Sequence, residues 1–188
     1  MSDEIDMVLL EATEKMDKAI EVAREDFATI RTGRANPAMF SKVLVDYYGT
    51  PTPINQLASF QTPEARMILI APYDKGASPA IEKALRESDL GINPTTDGQI
   101  IRVVLPQLTE ERRKEYIKVA RTKAEDSRIS IRNIRRHAKD SLDKMQKDGD
   151  VGEDDVRRAE KQLDELTHKH VEHVDEILKH KEAELLEV

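Results

Sequence analysis

The sequence predicts an α+β protein of two domains: an elongated antiparallel three-helix bundle, with a small β/α/β domain inserted after the first helix. Three observations carry that reading. Apolar residues recur in steps of three and four over three long stretches, one before residue 33 and two after residue 108. Between residues 42 and 105 the pattern changes to alternation and short apolar runs broken by Gly and Pro. The composition, 36% charged, 38% hydrophobic and 4% aromatic with no Trp, cannot fill one thick core but suits long solvated helices with a narrow apolar seam.

The first helix is expected over about residues 2–32. Its seam is Ile5, Leu9, Ala12, Met16, Ala19, Ala23, Phe27 and Ile30, with Ser2 or Asp3 as the cap and Gly33 and Pro37 as the stop. In the insert, alternation over 43–48 predicts a strand that ends at the Gly49-Thr50-Pro51 turn, and Met67-Ile68-Leu69-Ile70 predicts a second that ends at Pro72. Ser78-Pro79 reads as an N-cap followed by proline in the first helical position, opening a helix that carries Ile81, Ala84 and Leu85 and ends at Gly91. Asp97-Gly98 is a turn, and 100–105 a further strand.

Pro106 closes the insert. Thr109 then caps a long helix with Glu110 and Glu111 in its first turn, where the helix dipole favours acids. Its seam is Ile117, Ala120, Ala124, Ser127, Ile131, Ile134, Ala138, Leu142 and Met145, a helix on the order of 55 Å long. After a turn at 147–150, Gly152 caps the last helix, with the seam Val156, Ala159, Leu163, Leu166, His170, Val174 and Ile177; Leu178 and Leu185 widen that face. Helices with seams this thin fold only by packing together. The expected domains are therefore 1–32 with 106–188, the bundle, and 33–105, the β/α/β domain. The two are joined through a two-strand hinge at Thr32, Gly33, Arg34, Leu105 and Pro106.

The formal net charge is −7, which by itself argues against a nucleic-acid partner, but binding depends on where positive charge sits. Basic residues gather on the middle helix: Arg112, Arg113, Lys114, Lys118 and Arg121, then Arg128, Arg132, Arg135, Arg136 and Lys139. Spacings of three, four and seven put most of the second group on one side, away from Ile131 and Ile134. Arginine predominates there, and its planar fork matches phosphate oxygens two at a time. Arg31 and Arg34 form a second basic pair at the end of the first helix. Either group also fits a plainer role, as a solvated face paired to neighbouring acids or as compensation of a helix C-terminus. With so few aromatic rings for stacking, a folded RNA surface read through phosphates and shape fits better than a single strand.

Catalytic chemistry finds little support. There is no Cys, no Ser-His-Asp arrangement can be argued from spacing, and Thr32-Gly33-Arg34 lacks the spacing of a phosphate loop. His168, His170, His173 and His180 lie close in sequence but without a carboxylate-histidine motif, so neither metal nor cofactor is expected. No apolar run is long enough to span a membrane, and the first eleven residues carry acids where a signal peptide carries Lys or Arg, so a cytoplasmic protein is expected.

Several motifs, in order and over the whole chain, resemble those of the ribosome recycling factor family. They are Arg31-Thr32-Gly33-Arg34-Ala35-Asn36-Pro37; Asp46-Tyr47-Tyr48-Gly49-Thr50-Pro51-Thr52-Pro53; Gln56-Leu57-Ala58; Ser88-Asp89-Leu90-Gly91 with Asn93-Pro94; Leu108-Thr109-Glu110-Glu111-Arg112-Arg113-Lys114; Arg132-Asn133-Ile134-Arg135-Arg136; and Lys181-Glu182-Ala183-Glu184. The resemblance implies an L-shaped molecule of about transfer-RNA dimensions that acts as a monomer. It implies that the bundle binds the 70S ribosome against large-subunit ribosomal RNA between the A and P sites. Elongation factor G would then push on the small domain, and GTP hydrolysis on that partner would separate the subunits. Carried onto this chain, it marks Arg132 and Arg135 as RNA-contacting, Arg31 and Arg34 as basic positions at the junction, and Arg112 and Arg113 as those opening the middle helix; Arg128 and Arg136 belong to the same cluster. Two positions depart from the family pattern: His137 stands where Asp is usual, and His170 where an aromatic is usual, which implies looser packing on the last helix. The competing class is a helical-bundle adaptor or self-associating structural protein, which would expose an apolar stripe and bind independently of RNA.

Overall fold

A computed structural model describes residues 2–187. Residues 1 and 188, the outermost of the expected bundle, lie outside the described residues. The elements follow the order α1 (Asp3–Ala28), β1 (Leu44–Tyr47), β2 (Thr50–Pro53), β3 (Ala58–Glu64), β4 (Met67–Pro72), α2 (Ser78–Glu87), β5 (Thr95–Asp97), β6 (Ile100–Val104), α3 (Glu110–Lys147) and α4 (Glu153–Leu186). They form two compact units. One holds the chain up to Phe27 with Lys118–Glu182; the other holds Ala28–Ile117 with the tail from Ala183.

The first unit is the helical one. Ser2 caps α1 by accepting from the Ile5 amide at 3.3 Å, and Thr109 caps α3 by accepting from the Arg112 amide at 3.1 Å. The buried faces follow the expected seams: Ile5, Ala12, Met16, Ala23 and Phe27 on α1, Ala120, Ala124, Ile131, Ala138 and Leu142 on α3, and Val156, Ala159, Leu163, His170 and Val174 on α4. Ile20 rather than Ala19 fills the step between Met16 and Ala23. Cross-helix pairs set the directions. Arg121 meets Glu182, Arg128 meets Asp175 and Arg135 meets Asp164, so α3 and α4 run antiparallel. Asp17 meets His170 and Arg24 meets His173, so α1 runs with α4.

His170, where looser packing is expected, is buried. Its Nδ1 lies 2.7 Å from the Leu166 carbonyl and its Nε2 2.7 Å from Asp17 Oδ1, so an acceptor faces each ring nitrogen. Replacing it with Ala removes a buried ring and its polar contacts to Leu166 and Asp17. The expected cost is about 2–4 kcal/mol in thermal or denaturant unfolding. A loss below about 1 kcal/mol would show that the site collapses without it.

The second unit contains the strands. β1 and β2 form a two-stranded hairpin, and β3, β4, β6 and β5 form a four-stranded antiparallel sheet in that order. On β6, Ile101 and Val103 point inward between exposed Ile100, Arg102 and Val104. The core gathers Phe40, Val45, Ile54, Ile68, Ile70, Ile81, Leu85, Ile101, Val103 and Leu105. Three strands match the expectation at 43–48, 67–70 and 100–105; β2, β3 and β5 are additional. α2 differs in its ends. Ser78 is its first residue rather than its cap, because Asp74 already turns the chain by accepting from the Gly76 amide at 2.9 Å. It stops at Glu87, four residues before Gly91, with Ser88 extended.

The β1–β2 turn uses Tyr48 and Gly49, both at positive φ (49° and 86°). A non-glycine residue in that region is strained unless held. Tyr48 is held: its hydroxyl donates to Asp74 Oδ2 at 3.2 Å beside that of Tyr47 at 3.0 Å, and the two rings meet edge to face at 4.7 Å. The Gly76 amide and the Tyr47 and Tyr48 hydroxyls hold the Asp74 carboxyl below its ordinary range, against the opposing pull of desolvation. The bonds to Asp74 raise both tyrosines. The Asp74 contribution to stability is therefore present above the ordinary carboxylate pKa and fades as pH falls through its lowered folded value. The tyrosine contributions fade as pH rises through their raised values. In Asp74→Asn, ultraviolet titration should show Tyr47 and Tyr48 ionising at lower pH than in the parent. An unchanged titration curve would mean the hydroxyls are not held.

Candidate nucleic-acid interface

α3 carries its arginines as one broad stripe, and the neighbouring helix divides it. Seven residues make nearly two helical turns, so Arg121, Arg128 and Arg135 line up along the edge nearest α4. Each meets an acid there: Arg121 Nε donates to Glu182 at 2.7 Å, Arg128 Nε to Asp175 at 2.8 Å and Arg135 Nε to Asp164 at 2.6 Å. Arg128 is the most enclosed, its side chain 19% exposed, and also donates to Glu125 at 3.1 Å. Burial pulls its pKa down, but the bonds to Asp175 and Glu125 outweigh that and hold it above the ordinary arginine value.

The outer edge is different. Arg132, 55% exposed, approaches among the described residues only Glu125 of its own helix, at 3.6 Å. Arg136 and Lys139 are exposed and make no ion pair among the described residues. Arg135 stands between the two edges, 38% exposed, with its Nε donating to Asp164 at 2.6 Å. That bond orients the guanidinium while the side chain stays partly exposed. An anchored, partly exposed fork loses less entropy on meeting a phosphate than a free one.

The remaining candidates lie in the second unit. Arg31 is interior, 6% exposed. Its two terminal nitrogens donate to the Leu90 carbonyl, at 3.4 Å, and to the Pro106 carbonyl. It thus ties the segment after α1 to the one after β6, and a phosphate would reach it only by displacing those bonds. Arg34 is 78% exposed and lies 3.6 Å from Glu187. Arg112 lies 3.6 Å from Glu115. Arg113 is half-buried, with Nε enclosed and without an acceptor. Among the hinge residues, Thr32 is buried with its hydroxyl 3.3 Å from both the amide and the carbonyl of Arg34. Leu105 is fully buried and its amide donates to the Arg66 carbonyl at 2.7 Å.

Arg66 and Glu187 escaped the sequence reading, and Glu184 entered it only within the Lys181-Glu182-Ala183-Glu184 motif. They line a cavity of about 490 Å³ with Arg34 and Arg113. No periodicity could have found them, since the cavity joins residues more than 100 positions apart. Among the described residues, no cluster of three or more His, Asp or Glu is placed to hold a metal ion, and no helix is long and apolar enough to cross a membrane.

Comparison with known proteins adds an independent line. The family model described as ribosome recycling factor matches residues 23–186. The ribosome-recycling factor of Acidothermus cellulolyticus is 73% identical over 98% of this chain and all of its own length, and that of Kineococcus radiotolerans 68% identical with the same coverage. A solution structure of a ribosome recycling factor superposes over all of both chains with a TM-score of 0.78 and 39% identity. A second matching structure describes the T. thermophilus ribosome recycling factor and the E. coli elongation factor G bound to the E. coli post-termination complex. It gives a TM-score of 0.68 at 40% identity, again over all of both chains.

Proposed function

This chain belongs to the ribosome recycling factor family, and from that premise we propose that it binds the post-termination ribosome and, with elongation factor G, separates its subunits for a new round of translation. GTP is hydrolysed on that partner; this chain contributes binding and movement and makes or breaks no bond. It acts as a monomer in the cytoplasm, where ribosomes are. The observation that carries the reading most directly is the full-length likeness, at 40% identity, to a recycling factor described on a post-termination complex with elongation factor G.

The contacts proposed for large-subunit ribosomal RNA are Arg132, Arg135 and Arg136, with Arg128 bracing the same stripe. Arg34, Arg112 and Arg113 supply further positive charge. Arg31 holds the connection in shape from inside. The proposed working division is residues 1–32 with 106–188 as the ribosome-gripping bundle and 33–105 as the arm on which the translocase acts. Thr32, Gly33, Arg34, Leu105 and Pro106 form the hinge.

Cosedimentation with 70S ribosomes over a salt series, followed by light-scattering measurement of subunit separation, tests this. The expected result is saturable binding whose logarithm falls linearly with the logarithm of salt, because neutralised phosphates release counterions. Separation should require both elongation factor G and GTP. Absence of binding at low salt, with helicity intact by circular dichroism, would refute the proposal in favour of a helical adaptor.

A further inference from the structure

The cavity beside Arg34, Arg66 and Arg113 is set apart from the α3 stripe and lies within the second unit. Three arginines line it from three separate segments: the stretch after α1, the β3–β4 turn and the first turn of α3. The turn bearing Arg66 is fixed from both sides, since the Ala35 amide donates to the Ala65 carbonyl at 2.6 Å and the Leu105 amide to the Arg66 carbonyl at 2.7 Å. Arg66 and Arg113 make no ion pair among the described residues. Arg113 also carries an enclosed Nε with no acceptor, a donor whose desolvation nothing offsets. Arg34 is paired to Glu187 at 3.6 Å with both side chains mostly exposed, a weak and displaceable contact. Glu184 also lines the space, so the positive excess is modest and favours a ligand recognised by geometry as well as charge.

We propose that this cavity is an anion site for a phosphate group, held between the forks of Arg66 and Arg113 with Arg34 released from Glu187 to close on it. Arginine donors supplied by three separate segments suit the tetrahedral oxygens of phosphate better than the two coplanar oxygens of a carboxylate. A volume of about 490 Å³ leaves room for substituents beyond the phosphate itself. The phosphate is either free or part of an RNA backbone. In both cases its occupancy ties the segments flanking Gly33 and Leu108 to the β3–β4 turn.

The test is calorimetric titration of the full chain with inorganic pyrophosphate at low salt, repeated with a short RNA duplex as competitor. Variants are Arg66→Gln, Arg113→Gln and Arg113→Lys, with Lys83→Gln on α2 as a change of equal charge elsewhere; circular dichroism checks folding. Saturable one-site binding is expected, weakened about tenfold or more by Arg66→Gln and Arg113→Gln and less by Arg113→Lys, with Lys83→Gln unchanged. Competition by the duplex identifies RNA backbone as the source, and its absence identifies a free phosphate compound. No saturable binding of either probe, or equal weakening by all substitutions including Lys83→Gln, would overturn the proposal. It does not depend on ribosome binding, so the failure of either leaves the other standing.

Discussion

Arg135→Ala is expected to lower affinity for the large ribosomal subunit by about tenfold to a hundredfold, with the folded chain almost as stable as before. The size follows from one charge-assisted contact, about 1.5–3 kcal/mol, at about 1.4 kcal/mol per tenfold. The stability expectation follows from the partner. Arg135 is 38% exposed and Asp164 57% exposed, and such pairs contribute about 0–1 kcal/mol. The salt dependence should shrink by about one phosphate's worth, since one cation fewer displaces counterions. Arg128→Ala provides the contrast: it frees Glu125 and Asp175 inside a three-way pair and should cost more stability and less binding. Equilibrium binding across a salt series, with melting curves on the same samples, checks both. Unchanged affinity for Arg135→Ala, or a collapse of its melting temperature, would remove Arg135 from the proposed interface.

Phe40→Ala is expected to destabilise the second unit by about 3–5 kcal/mol, the usual cost of emptying a fully buried aromatic site. Phe40 has no exposed surface, and its ring stacks on Phe60 at 5.8 Å between centroids and 15° between planes. The sequence has only three Phe and no Trp, so few bulky neighbours can move into the space. Phe60 is half-buried, and Phe60→Ala should cost less. Denaturant unfolding followed by tyrosine fluorescence reports on this unit through Tyr47, Tyr48 and Tyr73. A loss below about 1 kcal/mol would mean that the core closes over the vacancy.

The basic stripe shows where reading from sequence stops. Its existence on one side of α3 was legible, because helical spacing is a local property. Its division into a braced edge and an open edge was not, because each bracing acid lies far along the chain: Arg135 and Asp164 are 29 residues apart, Arg128 and Asp175 47, Arg121 and Glu182 61. Arg31 makes the same point. Its position after a helix reads as a surface cation, yet it is buried by carbonyls 59 and 75 residues away. The strands missed were those with weak local signals. β2 carries two prolines and pairs on one side only, β3 contains Pro63 and an irregular register, and β5 is three exposed residues at the sheet edge.

The two-domain α+β plan, the three seams, the caps at Thr109 and Gly152, and the ordered motifs that place the chain in its family could all be read from residue order, while the choice of Ser2 over Asp3 as the first cap could not. These depend on periodicity, capping chemistry and residue order, all written locally. Packing in three dimensions set which arginines are held and which are open, that Tyr48 keeps a left-handed backbone through Asp74, that His170 sits between the Leu166 carbonyl and Asp17, and that Arg66 joins Arg34 and Arg113 around one cavity. Those outcomes depend on which distant side chains arrive at the same point, and in a chain that is 36% charged many alternative pairings share the same local pattern until packing selects one.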